Sequence, residues 1–92
     1  MTSPPENLIP GKLYRTHQKI DFYNNPWALT GSVEIVHVPT IAVLMFIEET
    51  RASDNNTICS FCFLWGDQLV YTETVQHNTI ILLNCLEGPV FF

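Results

Sequence analysis

The chain has 92 residues, enough for one hydrophobic core and too few for two domains. Apolar residues make up 47% and charged residues 14%, so wholesale disorder is excluded: the buried apolar surface outweighs the entropy of ordering the chain. Four basic side chains face nine acidic ones, for a net charge of −5, which disfavours a nucleic-acid partner because phosphates call for a basic face.

Lys12, Arg15 and Lys19 stand close together near the N-terminus and Arg51 is alone; the group of three reads as a solvated face. The carboxylates are spread too thinly for an acidic mimic of DNA. The opening Met-Thr-Ser-Pro-Pro-Glu is polar and lacks the basic flank and apolar core of a signal peptide. The longest apolar runs, Val38 to Ile47 and Ile80 to Leu83, fall well short of the roughly 20 residues that span a bilayer. A soluble cytoplasmic protein with no membrane partner is therefore expected. Its three cysteines, an odd number without a regular framework, read as free thiols in a reducing compartment.

Residues 1 to 7 form a polar, proline-rich arm expected to be flexible, and residues 8 to 92 form the domain. Leu8-Ile9-Pro10-Gly11 signals a turn before a strand over Lys12 to Thr16, with Leu13 and Arg15 on one face and Tyr14 on the other. His17 to Gly31 holds Phe22, Tyr23 and Trp27 at no regular spacing and reads as a long loop over the core, with a short turn of helix after Pro26. Ser32 to Val38 is strand-like and stops at Pro39. Ile41 to Glu49 (IAVLMFIEE) reads as a strand, with helix as the competing state because Ala, Leu, Met and Glu favour it.

Residues 50 to 56 are a polar connection. Thr57 to Trp65 and Gln68 to Val75 are then predicted to form a hairpin about Gly66-Asp67, whose leading glycine suits a type II′ turn. Phe61, Phe63 and Trp65 share one face of the first arm, and Ile58, Ser60, Cys62 and Leu64 the other. Both faces are apolar, so this arm is predicted to be a central strand covered on each side, or its aromatic face to be a contact surface. After a polar turn at Gln76-His77-Asn78, Thr79 to Leu86 reads as a last major strand that Glu87-Gly88-Pro89 ends. Val90-Phe91-Phe92 is expected to close the sheet as a short edge strand or to bury in a partner.

Five to six short strands with one long early loop predict an all-β fold, a small antiparallel barrel. Pro10-Gly11-Lys12-Leu13-Tyr14-Arg15, a long loop, and then a meander about a tight hairpin resemble the layout of SH3-like barrels over residues 8 to 86. The resemblance implies a groove for proline-rich peptides lined by aromatic residues of the first strand and long loop, here Tyr14, Tyr23 and Trp27. Size and style also resemble small accessory proteins encoded by viruses of bacteria.

Chemical motifs are sparse. Cys59 and Cys62 form a C-x-x-C, with His77 and Cys85 downstream, a candidate zinc set. On a strand, however, positions i and i+3 point to opposite faces, so the pair cannot share a metal, and the thiols read as small hydrophobes. No histidine among His17, His37 and His77 sits beside a thiol in a pattern that marks a nucleophile and base. Glu48, Glu49, Asp54 and Glu73 could pair only through folding, and the four glycines are isolated turn residues, not a phosphate loop. The expectation is a non-enzymatic protein-protein interaction module with no cofactor and no metal; the resemblance to viral accessory proteins implies a modulator of a host protein. Contacts are assigned to Tyr14, Tyr23, Trp27, Trp65, Phe91 and Phe92 because aromatic side chains dominate interface energetics. Self-assembly into a homo-oligomer through Val90-Phe91-Phe92 is the first alternative, and a small zinc- or thiol-dependent protein the second.

Overall fold

The hairpin about Gly66 is the anchor of the architecture. In the computed structural model, which describes residues 4–24, 34–52, 58–75 and 79–91, β5 (Ile58–Trp65) pairs antiparallel with β6 (Gln68–Val75) along its whole length, from Ile58 against Val75 to Trp65 against Gln68. Gly66 takes φ 67° and Asp67 does not enter positive φ, the pattern of a type II′ turn, which only a residue without Cβ adopts at no cost.

Around this hairpin seven antiparallel strands form one sheet curled into a half-barrel. The other strands are β1 (Leu13–Thr16), β2 (Ile20–Tyr23), β3 (Ile35–Val38), β4 (Val43–Ala52) and β7 (Leu86–Val90), in the spatial order β3-β2-β6-β5-β4-β1-β7. Strands β3 and β7 end that order, so among the described residues the sheet keeps two edges. The competition over Ile41 to Glu49 resolves to strand: β4 lies between β1 and β5, and its Leu44 and Phe46 enter the core while Glu48, Glu49 and Thr50 reach solvent.

The structure corrects three expectations. The long early loop contains a strand, β2, whose Phe22 is fully buried between Val36 and the β5 rings. A segment of four residues ending next to Asn24 is too short for periodicity to reveal. Thr79–Asn84, expected as strand, is a helix, α1. A four-residue apolar run fits either state, and here Leu82 and Leu83 pack into the open side of the half-barrel while Ile80 and Ile81 face out. Glu87-Gly88-Pro89, expected to end the strand before it, lies inside β7. Gly88 makes this possible: its φ is 141°, and a Cβ there would sit 3.1 Å from the Leu13 carbonyl and 3.0 Å from the Val90 nitrogen. The register of β7 against β1 shifts at this point, between Leu13 and Arg15.

The inner face carries the core: Tyr14, Phe22, Val38, Leu44, Phe46, Cys59, Phe61, Phe63, Val70, Leu82 and Leu86 form one buried cluster. Of the arm expected over residues 1 to 7, residues 1–3 are outside the description, and from Pro5 the segment is held down. Pro5 is buried, the Ile9 amide donates to the Tyr14 hydroxyl at 2.8 Å, and that hydroxyl donates to the Asn7 carbonyl at 3.5 Å. Trp27, Phe92 and His77 also lie outside the described residues.

Thr16 is the polar pin of this core. It is fully buried, its hydroxyl donates to the Pro39 carbonyl at 2.7 Å and accepts the Ala42 amide at 2.9 Å, and its carbonyl accepts the Ile41 amide at 2.7 Å. These bonds clamp the turn between β3 and β4, in which Ile41 takes φ 64° with its side chain 76% exposed. A β-branched residue in that conformation is strained. Thr16→Val is expected to lower stability by about 2 kcal/mol because it leaves two buried partners unbonded. Ile41→Gly is expected to raise it by up to about 1 kcal/mol, relief of strain exceeding the added entropy of glycine. Urea denaturation of both variants checks the pair of signs.

Candidate functional site

Alternation along each strand sends every second residue to the outer face, away from the core. Register then decides what that face displays. Val90 pairs with Leu13, Leu13 with Met45, Met45 with Leu64, and Leu64 with Leu69. Five apolar side chains thus stand in one row across β7, β1, β4, β5 and β6. At the usual spacing of about 4.8 Å between strands, the row is roughly 19 Å long. The adjacent row, one pleat along, runs Glu48, Cys62, Tyr71, Tyr23 and Ile35 across β4, β5, β6, β2 and β3. Among the apolar and aromatic members of these rows Leu69, Tyr23 and Ile35 are the most open, at 44%, 41% and 55% exposure.

Polar groups border the band. Beside Leu13 and Val90, Arg15 Nη1 meets Glu87 Oε1 at 3.2 Å across the β1–β7 pair. Beyond Tyr23, His37 Nδ1 and Asp21 Oδ1 lie 2.7 Å apart across the β2–β3 pair, both exposed. Lys12 Nζ is 5.9 Å from the centre of the Phe91 ring, within cation–π range. Two of the three basic residues grouped near the N-terminus are thus engaged in separate contacts rather than in one phosphate-binding patch.

The expected contact residues divide. Tyr23 and Phe91 reach the surface, Phe91 at 79% exposure. Tyr14 does not: it is fully buried with its hydroxyl bonded, and is a core residue rather than a contact. It follows Leu13 on a strand whose outer face is taken by Leu13 and Arg15, and alternation sends it inward. Trp65 is half-buried and packs against the core cluster from the hairpin end. The groove expected between Tyr14, Tyr23 and Trp27 is not formed by Tyr14. Leu13, Met45, Leu64, Leu69 and Ile35, which complete the outer band, were not singled out from sequence, because only the register places them side by side.

The cysteines separate as a strand requires. Cys59 belongs to the core cluster, whereas Cys62 stands on the outer face between Glu48 and Tyr71. Burial pushes the Cys62 thiol above its ordinary 9.0, the Tyr71 hydroxyl bonded to it pulls it back in part, and the Glu48 charge adds to the rise. Burial, with the neighbouring thiol and Glu48, raises Tyr71 as well. Cys85, beside the C-terminal end of α1 with its thiol 3.3 Å from the Ile81 carbonyl, is raised by burial. Among the described residues no three of His, Cys, Asp and Glu converge as a metal site would require. No helix there is long and apolar enough to cross a membrane. No family model, curated protein or solved structure matches the chain.

A thiol held protonated is a poor nucleophile. Alkylation at pH 7.5 followed by mass spectrometry is expected to label the half-exposed Cys85 first, Cys62 later, and Cys59 only on unfolding. The raised Cys62 and Tyr71 values also fix a sign. Their contribution to stability is complete below about pH 9, the ordinary thiol value, and is lost as pH rises through the folded values. Denaturation midpoints are expected to fall from pH 8 to pH 10.5, and Cys62→Ser to flatten the fall.

Proposed function

We propose that the chain is a non-enzymatic protein-interaction module that docks a protein partner on the outer face of its sheet. One observation carries the reading: nine of the ten side chains in the two adjacent outer rows are apolar, aromatic or thiol, on the side of the sheet away from the core. A solvated outer face alternates hydrophobic-in with polar-out. Here leucine, methionine, valine and isoleucine occupy positions that water would otherwise meet. The band has an apolar centre and a polar rim of Arg15, Glu87, Asp21 and His37, the usual anatomy of an interface. Within the all-β half-barrel we read the meander β4-β5-β6 with its tight distal turn as SH3-like, with the contact moved from the aromatic groove of that layout to the outer face.

Self-assembly is the second reading. Phe91 projects at 79% exposure next to the edge strand β7, where a second copy could add. Light scattering separates the two: a dimer lost in Phe91→Ser favours self-assembly, and a monomer throughout removes it.

The double variant Tyr23→Ser with Leu69→Lys tests the main reading. Both positions are exposed, so stability is expected to change by no more than about 0.5 kcal/mol. Loss of an aromatic anchor and insertion of a charge are expected to weaken capture of a protein partner by about tenfold or more in quantitative pull-down. Unchanged capture by a folded variant contradicts the outer face as the contact.

A further inference from the structure

The two edges of the sheet differ. At one end β7 carries Pro89, which has no N–H to donate, and its register against β1 shifts between Leu13 and Arg15; both features blunt an edge against strand addition. At the other end β3 has no proline, no lysine and no irregularity. Its four residues pair in continuous register with β2, from Ile35 against Tyr23 to Val38 against Ile20. The hydrogen-bond parity of this pair follows from its first rung. The Asn24 amide donates to the Glu34 carbonyl at 3.1 Å, so Asn24 and Glu34 face each other as a hydrogen-bonded pair, as do then Phe22 with Val36 and Ile20 with Val38. The intervening Ile35 and His37 direct their N–H and C=O groups away from β2, over the edge. Among the described residues no strand lies beyond β3.

The side chains at this edge suit pairing as well. The strand reads Ile-Val-His-Val, with no carboxylate, lysine or arginine to repel an added strand. Ile35, 55% exposed, and its neighbour Tyr23 are the most open pair of their row, so apolar exposure on the outer face grows toward β3. On the other side of the strand Val36 is half-buried and Val38 fully buried. A regular, uncharged strand with outward-facing backbone groups is a template for another strand.

We propose that β3 of a second copy of this chain adds to this edge, antiparallel about a two-fold axis at Val36, and joins the two sheets into one. In this register Ile35 and His37 of each copy exchange backbone hydrogen bonds with His37 and Ile35 of the other, four bonds in all. Val36 stands opposite Val36 of the second copy, Ile35 lies beside its His37, and Glu34 falls opposite its Val38 rather than another carboxylate. A register centred on His37 would set histidine against histidine and bring Pro39, which cannot donate, opposite Ile35. A second copy is the fitting occupant because an antiparallel pair of identical strands is complementary about a two-fold axis. It also closes the assembly: only the blunted β7 edges remain at the ends of the joined sheet, so growth stops at two. This contact goes beyond the outer-face reading, leaves that face to a protein partner, and lies at the opposite edge from Phe91.

The test is sedimentation equilibrium of the full chain. A four-residue strand makes a small contact, so a monomer–dimer equilibrium with Kd of about 10 μM is expected, with no larger species. His37→Pro removes an N–H that faces the edge and none that bonds β2, so the variant is expected to keep its far-UV spectrum. It is expected to dimerise about thirtyfold more weakly, because symmetry removes two of the four bonds. The register is read separately with Val36→Cys in a Cys85→Ser background. The two introduced thiols lie on Cα atoms about 4.5 Å apart in a non-hydrogen-bonded pair, within disulfide reach. Oxidised glutathione is expected to link them, as mass spectrometry of the dimer band shows. A monomer at about 50 times the expected Kd, undiminished association in folded His37→Pro, or failure of the two thiols to link would each overturn the proposal. Dimers are expected to persist in Phe91→Ser and in Tyr23→Ser, Leu69→Lys; their loss in either would move the contact to the other edge or to the outer face and overturn it. Because the latter variant tests partner capture, failure of the outer-face reading and failure of this one give different results.

Discussion

The rings that β5 holds on its inner face are the constraint on which the molecule depends. Phe63 lies 5.4 Å from Phe46 on β4 and 5.6 Å edge-on from Phe22 on β2, and Phe46 stands 6.4 Å from Phe61. These contacts join a neighbouring strand on one side to a strand two places away on the other, so they set the curl of the sheet as well as filling it. Aromatic pairs in such tilted and edge-on arrangements contribute about 0.5–1.5 kcal/mol each beyond their buried area. Tyr14, Val38, Leu44, Cys59, Val70 and Leu86 complete the layer, and α1 adds Leu82 to it, with Leu83 buried beside it. Once Phe61 and Phe63 are inward, Cys62 and Leu64 must be outward, and this parity sets the composition of the outer face.

That dependence explains how much could be read from the chain itself. The hairpin was legible because turn chemistry and alternation agree over Thr57 to Val75, and β6 has the expected bounds. The two-faced apolar pattern of β5 was legible for the same reason and pointed to a central strand, but the aromatic face that it offered as a contact is the core face, with Phe61 and Phe63 buried. The strand state of β4 was legible from its neighbours. The features that could not be read depend on partners distant in sequence. β2 is four residues long and is held in the sheet through Phe22 against Val36 and Phe63. α1 is an apolar run whose helical state is decided by the shape of the space that Leu82 and Leu83 fill. Tyr14 looked like a contact residue because aromatic residues favour interfaces, yet strand parity sends it into the core.

The candidate surfaces show the same division. Tyr23 and Phe91 were visible as exposed aromatics, while Trp27 and Phe92 fall outside the described residues. The row from Val90 to Leu69 joins residues separated by up to 77 positions in the chain, and nothing local marks them as neighbours. Glu49 is a sharper case. As the second of two glutamates after an apolar strand it reads as a solvated end, and it is exposed, yet only the bulge sets it opposite Phe61 in the register. A one-residue irregularity thus gives β4 two adjacent exposed carboxylates at different register positions, Glu48 opposite Cys62 and Glu49 opposite Phe61.

If β5 is the wall that separates a packed inner layer from the apolar outer band, its backbone should open only when the whole molecule unfolds. Native-state amide hydrogen exchange measures this strand by strand. The expected result is that the amides of Phe61, Cys62 and Phe63 exchange slowest, at the rate of global unfolding, and about a hundredfold more slowly than those of the edge strands β3 and β7. Exchange at β5 as fast as at the edges would contradict the central place of this strand, and with it the division of the sheet into a core face and an outer band.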